Sequence, residues 1–249
     1  YYSPAATPAS SGVETLLLTH TNLAEPAIAH GLLLDDRIIE VSWDGDVLWE
    51  WRASEHFDEL GFDEEARRAI RAAPGPFAAR TGFDWLHLNS ATYVGPNRWH
   101  EAGDERFAPD NVIVSSRSAN IVAIVSREDG SIVWRLGPDF RATEATRAIG
   151  QIIGQHHAHL IPPGLPGAGH MLIFDNGGSG GYGFANPAAP EGRNSLTRAS
   201  SRVLEIDPVA LEVVWSYTAG ARFFSSNIAG MQRLANGNTL ITEGAGGRL

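Results

Sequence analysis

The chain reads as short runs in which apolar and polar residues alternate, separated by turns rich in Gly, Asp and Asn. Three segments share one plan: "DRIIEVSWDGDVLWEW" (36–51), "ANIVAIVSREDGSIVWRL" (119–136) and "SRVLEIDPVALEVVWSY" (201–217). Each is an alternating strand, an Asp-containing turn and a second strand reaching Trp49, Trp134 or Trp215. A period of two on either side of a tight turn predicts a β-hairpin. Between these hairpins lie further strand pairs, "LHLNSATYV" with "NVIVSSR", "QHHAHLI" with "HMLIFDN", and "AGMQRLA" with "NTLITEG". The repeating unit is therefore two hairpins, or four antiparallel strands.

A four-stranded unit that recurs with loop insertions predicts an all-β chain of the β-propeller type. Blades are expected over roughly 10–51, 83–136 and 153–217, with a fourth beginning near 227, where Asn236-Gly237 supplies a two-residue turn. The ending "GGRL" matches the start of the third strand in "DDRIIEV" and "SSRVLEI". The expectation is a single propeller domain over 1–249 of about three and a half blades, incomplete at its C-terminus. A second chain or a further C-terminal segment would complete it, because open strand edges otherwise invite aggregation. Two stretches fall outside the repeat. Residues 54–76 read as a helical insertion with Asp63 as N-cap and "PGP" as its stop, and 177–200 as a glycine- and proline-rich loop.

Composition narrows the chemistry. With 249 residues, 43% hydrophobic and 19% charged, the chain is of the ordinary globular class. Its apolar runs are strand-sized, well short of the roughly 20 residues of a membrane-spanning helix, and Tyr1 opens no signal-peptide pattern. A net charge of −10 argues against nucleic acid as a partner. The absence of Cys removes thiolate nucleophiles, disulfides and Cys-type zinc sites. All 19 Lys+Arg residues are Arg, which removes Schiff-base and P-loop chemistry and leaves planar forks suited to sulfate, phosphate or carboxylate.

The candidate chemistry lies on the first strand of each unit, which in a propeller lines the central channel. "GQHHAHL" places His156, His157 and His159 within four residues; on a strand, His157 and His159 share one face and His156 takes the other. His87 and Asn89 also share a face, and Arg117 follows on the paired strand. A histidine, an amide and an arginine converging on one channel would make an oxyanion site. The alternatives are structural: His156 bonded to a neighbouring blade, or Arg117 clamping blades through Asp84 or Asp175. Asp175 and Asn176 are read as organising a strand end.

Together "DWLHLNS", "VSSR", "GQHHAHL" with "LIFDNG", and "GNTLI" resemble the bacterial arylsulfate sulfotransferase (ASST) family, PAPS-independent six-bladed propeller enzymes. The resemblance covers most of the chain. It implies a channel histidine that attacks the sulfuryl group of an aryl sulfate, becomes a sulfohistidine and passes the group to a phenol, with no metal or cofactor. By motif, the nucleophile falls on His156, the family's His-x-Asn and following arginine on His87, Asn89 and Arg117, and a later hydroxyl on Ser225 or Ser226, of which Ser226 is carried forward. His157 and His159 join Asn89 and Ser226 as substrate-side residues. The implied partners are an aryl sulfate and a phenol, and the implied compartment is periplasmic or secreted. One departure stands: the family's early-blade histidine motif has no counterpart here, His20 and His30 being the early histidines. A lyase or quinoprotein-like oxidoreductase on the same propeller, or a non-catalytic binding propeller, are the alternatives to sulfuryl transfer.

Overall fold

A computed structural model describes residues 14–72, 82–187 and 189–249. Residues 10–13, expected at the start of the first blade, and 73–76, expected to end the helical insertion, lie outside the described residues.

The chain forms several small antiparallel sheets. In the first, β1 (Thr15–Ala24), β2 (Leu32–Val41) and β3 (Val47–Arg52) pair in that order. Next comes α1 (Glu64–Arg71), whose first turn is capped by the Asp63 carboxylate accepting from the Ala66 N–H at 2.7 Å. Glu64 and Glu65 stand at its N-terminal end and Arg68 and Arg71 at the other, as the helix dipole favours. The short β4 (Phe83–Asp84) then returns to the first sheet and pairs parallel with Leu33 and Leu34. Phe83 and Asp84, expected in the second unit, thus belong to the first sheet. Gly82 permits this approach, since a Cβ there would stand 2.2 Å from the Leu33 backbone.

The second sheet runs β5 (Leu88–Tyr93), β6 (Val112–Ser116), β7 (Ile121–Val125) and β8 (Ile132–Leu136), with α2 (Arg98–Glu101) inserted between β5 and β6. After α3 (Glu144–Ile149), the third sheet takes β9 (His156–Leu160) and β10 (Met171–Asp175), then β13 (Arg202–Asp207) and β14 (Glu212–Tyr217). The segment 177–200 differs from the expected plain loop. It holds a two-stranded ribbon, β11 (Gly180–Tyr182) with β12 (Arg193–Leu196), pressed so closely against the second sheet that a Cβ on Gly180 would meet Asn120. Finally β15 (Ala229–Arg233) and β16 (Thr239–Glu243) pair with each other.

Alternation along the strands decides how the sheets stack. Val112, Val114, Ile121 and Ala123 enter one core with Leu33, Ile38 and Trp51 of the first sheet. Their neighbours Ile113, Val122 and Ile124 enter another with Met171, Ile173, Leu204 and Ile206 of the third. On the third sheet's other face, Leu172, Phe174 and Val203 pack with Met231 of β15. The second and third sheets are thus covered on both faces by their neighbours, which is why β6 and β7 are buried throughout.

The tryptophans mark the repeat. Trp49, Trp134 and Trp215 each sit opposite the residue at which the hairpin register slips, Glu40, Ile124 and Glu205. Trp51 and Trp134 donate their indole N–H groups to turn carbonyls of the next sheet, Gly130 at 2.9 Å and Pro208 at 2.8 Å. The first strands β1, β5, β9 and β15 are neighbours in that order and form one continuous inner edge. Among the described residues the sheets do not close into a ring, and no helix is long and apolar enough to cross a membrane.

Candidate functional site

The inner edge at β5 and β9 gathers the polar groups. Both strands enter by the same turn, because the Leu86 carbonyl accepts from the Ser118 N–H at 3.0 Å and the Ile153 carbonyl from the Gly177 N–H at 2.9 Å. His87 and Gly154 therefore occupy equivalent positions, both left-handed, at φ 52° and 60°. Two residues on, Asn89 and His156 are equivalent, and across the turn so are Arg117 and Asn176. The two strands are stapled here by the Asn89 Nδ2–H, which donates to the Gln155 carbonyl at 2.7 Å.

The His156 ring is oriented by acceptors on one side. Its Nδ1 lies 2.8 Å from Asn176 Oδ1 and 3.2 Å from the Gly154 carbonyl. The Asn176 amide is itself set by its Nδ2–H, which donates to the Ser225 carbonyl at 2.7 Å. With acceptors at Nδ1, that nitrogen carries the proton and Nε2 holds the lone pair. Burial pushes the ring below the usual histidine range, so it stays neutral near pH 7; the nearby charges of Arg117 and His87 add to this, while Asn176 opposes it.

His157 has the other tautomer. Its Nδ1 accepts from the Met231 N–H at 3.3 Å, tying β9 to β15 and leaving the proton on Nε2. His159 donates Nδ1–H to the His157 carbonyl at 3.0 Å, and burial drives it down to about 4. The two rings lie 4.6 Å apart, so they share a side that His156 does not.

His87 Nδ1 stands 2.5 Å from Asp84 Oδ2, and this bond raises the ring above the usual histidine range against the effect of burial. The His87 carbonyl accepts from the Arg117 N–H at 3.1 Å, which places the arginine beside it. Neither carboxylate suggested as a clamp for Arg117 serves it: Asp84 holds His87, and Asp175 holds Arg198 and Arg202 at 2.8 and 2.7 Å. Among the described residues the Arg117 guanidinium has no carboxylate partner, although its charge reaches His87, His156 and Tyr182.

The two serines separate by environment. Ser225 is fully buried; its hydroxyl donates toward the Asn227 and Ile228 carbonyls and accepts from the Ala245 N–H, all at 2.9 Å. The Ser226 hydroxyl donates to Asn227 Oδ1 at 3.2 Å, and the residue remains partly exposed beside Gly178. His20 and His30 are exposed, and His20 stands on β1 opposite Asp36. A cavity of about 550 Å³ lined by Phe57, Arg67, Arg68 and Arg71 contains none of the inner-edge residues. Among the described residues no cluster of three or more His, Asp or Glu could hold a metal ion.

The structure thus brings together His87, Asn89, Arg117 and His156, sets His157 and His159 on the β15 side, and adds two partners. Asp84 stands three residues before His87 in "DWLH", and Asn176 follows the strand end in "FDNGG"; a carboxylate or amide near a channel histidine is the signal for both. The assembled site offers a neutral imidazole with a free Nε2, a second imidazole backed by a carboxylate, and a guanidinium with no carboxylate partner among the described residues, a set able to hold an oxyanion and move a group onto nitrogen. No curated protein matches the chain. A family model described as Arylsulfotransferase (ASST) matches residues 13–248. That match spans nearly the whole length, and the chain belongs to the arylsulfotransferase (ASST) family.

Proposed function

We propose that the four sheets are consecutive blades of a propeller whose inner edge transfers a sulfuryl group from an aryl sulfate to a phenol through a sulfohistidine at His156. The observation that carries this reading is the nearness of an uncharged His156, its Nε2 lone pair free, to an arginine that has no carboxylate partner among the described residues. Sulfuryl transfer, like phosphoryl transfer, asks chiefly for positioning and for charge on the equatorial oxygens. Arg117 supplies that charge, together with the Asn89 N–H not given to Gln155.

In the first half-reaction His156 Nε2 bonds to sulfur as the aryl O–S bond breaks, and the departing phenoxide takes a proton from protonated His87. In the second, neutral His87 accepts the proton of the incoming phenol as its oxygen bonds to sulfur, and the N–S bond returns its electrons to His156. Charge and protons balance over the cycle. Acid–base help of this kind is worth about 10²–10⁴-fold. His157 is a poorer nucleophile because its Nδ1 lone pair is engaged and its Nε2 carries the proton. Ser226, at the rim, and His157 and His159 are assigned to the substrate side. The two-stranded β15–β16 sheet, with Ile228 and Leu240 exposed, is proposed to pair with further strands.

Intact-mass measurement after incubation with an aryl sulfate tests the proposal. One added sulfuryl group, localised to His156 and discharged by a phenol, is expected. An unmodified protein that never releases the phenol would refute it.

A further inference from the structure

We infer that Asp84 is a positioning residue for this transfer, holding the His87 ring by Nδ1 so that Nε2 is the nitrogen that meets the phenolic oxygen. The inference rests on the sulfuryl-transfer reading above. Its first support is geometric: Asp84 Oδ2 lies 2.5 Å from His87 Nδ1, and a carboxylate can only accept, so the proton at that contact belongs to the imidazole.

The second support is the backbone. His87 sits at φ 52°, in the left-handed region that strains a side-chain-bearing residue. The equivalent position in the next sheet is Gly154, where a Cβ would come within 2.7 Å of the Ser179 carbonyl. The same turn is therefore made with glycine in one sheet and with a strained histidine in the other. Strain of this kind persists where the surroundings over-determine it.

Those surroundings are rigid. Asp84 pairs with Leu34 of the first sheet while His87 leads into the second, so the contact bridges two sheets. The intervening Trp85 and Leu86 are fully buried, and the Tyr182 hydroxyl donates to the Trp85 carbonyl at 2.6 Å. The charged groups that face His87 are Asp84 and, more distantly, Asp36 of β2, which favour its cation, and Arg117, which opposes it; His156 stands alongside. A carboxylate that orients and charges a histidine, which then serves a reacting oxygen, follows the logic of an oriented acid–base catalyst.

The test combines nuclear magnetic resonance of the histidine rings with rates on a series of aryl sulfates. In the unaltered protein His87 is expected as the Nδ1–H tautomer, titrating above the midpoint of an ordinary histidine. Finding it protonated only at Nε2 would overturn the inference without any variant. In Asp84→Asn the His87 midpoint should fall, and transfer from sulfates of weakly acidic phenols should drop at least about tenfold. Nitrophenyl sulfates, whose phenolates leave without a proton, should be much less affected. A merely structural role would slow both donors alike. An unchanged midpoint, or equal losses for both donors, would overturn the proposal. If the unaltered protein turns over no aryl sulfate, the function proposed above fails instead, and the ring titration still decides whether Asp84 holds His87.

Discussion

Asn89 and Gln155 lock the second and third sheets together from both sides. The Asn89 amide donates to the Gln155 carbonyl at 2.7 Å, while the buried Gln155 side chain donates back to the Ser116 and Ile121 carbonyls at 2.9 and 2.8 Å. His156 follows directly on this staple, so its place depends on it. Gln155→Ala strands two buried carbonyls and should cost about 2–4 kcal/mol, against about 1 kcal/mol for Asn89→Ala. Urea unfolding curves with unchanged slope would measure both. Equal, negligible losses would show that the sheets are held elsewhere.

Replacement of the charged and nucleophilic groups should sort them by role. His156→Ala is expected to abolish both aryl sulfate cleavage and acceptor sulfation, because a double-displacement route cannot skip its covalent step. His157→Ala should lose its contact with the Met231 N–H and about 1 kcal/mol of stability, yet still form the adduct. Arg117→Lys keeps the charge and loses the fork, for roughly a ten- to hundredfold fall in rate. Adduct formation timed by mass spectrometry distinguishes the three. A dead His157→Ala beside an active His156→Ala would invert the assignment.

The hairpins were legible because β6, β7, β10 and β13 are short, near-continuous apolar runs bounded by turn residues, the form that burial on both sheet faces imposes, and the tryptophans fall at equal registers. The motif residues were legible as types at set spacings. What the residue pattern does not carry is non-local. Phe83 and Asp84 look like the start of "DWLHLNS", and only the parallel pairing with Leu33 and Leu34 assigns them to the first sheet. The left-handed turn at His87 looks like ordinary strand, since histidine gives no sign of a positive φ. Ser225 and Ser226 are chemically identical, and packing alone separates a buried latch from a rim hydroxyl. The glycines of 177–200 suggest a loop, but at Gly180 and Gly181 they let a ribbon press against Asn120. Asn176, read as a turn residue, also fixes the tautomer of His156.

The two site histidines shift in opposite directions, and this sets the pH response of the first half-reaction. The reactive form needs His156 neutral and His87 protonated. Burial lowers His156, so activity is expected to fall on the acid side only as pH drops through a value below about 6.5. The bond to Asp84 raises His87, so the alkaline fall comes as pH rises through a value above about 6.5. The profile of adduct formation should be a bell spanning that pH, with limits belonging to the pair because each ring feels the other. A rate that climbs steadily to pH 9 would remove His87 as the acid.

Asp36 should make the fold itself sensitive to pH. Its carboxyl is buried on β2, accepts the Leu88 N–H at 3.1 Å and is pushed up to about 7, chiefly by burial and then by the Asp84 charge, against the effect of that hydrogen bond. A carboxyl raised in the folded state binds its proton more tightly there than in the unfolded chain, whose value lies near 3.9. Stability from this group is therefore fully present below about pH 4 and is lost as pH rises from there through about 7. The span from about 4 to 7 corresponds to at most about 4 kcal/mol. Asn at this position keeps an acceptor for Leu88 and has no charge to bury. Asp36→Asn is expected to leave stability at pH 4 close to that of the unaltered chain and to raise it by about 1–3 kcal/mol at pH 8, read from denaturant midpoints at the two pH values. Parallel stability curves for the two proteins from pH 5 to pH 8 would show that Asp36 is ionised throughout and that the corner beneath His87 carries a buried charge.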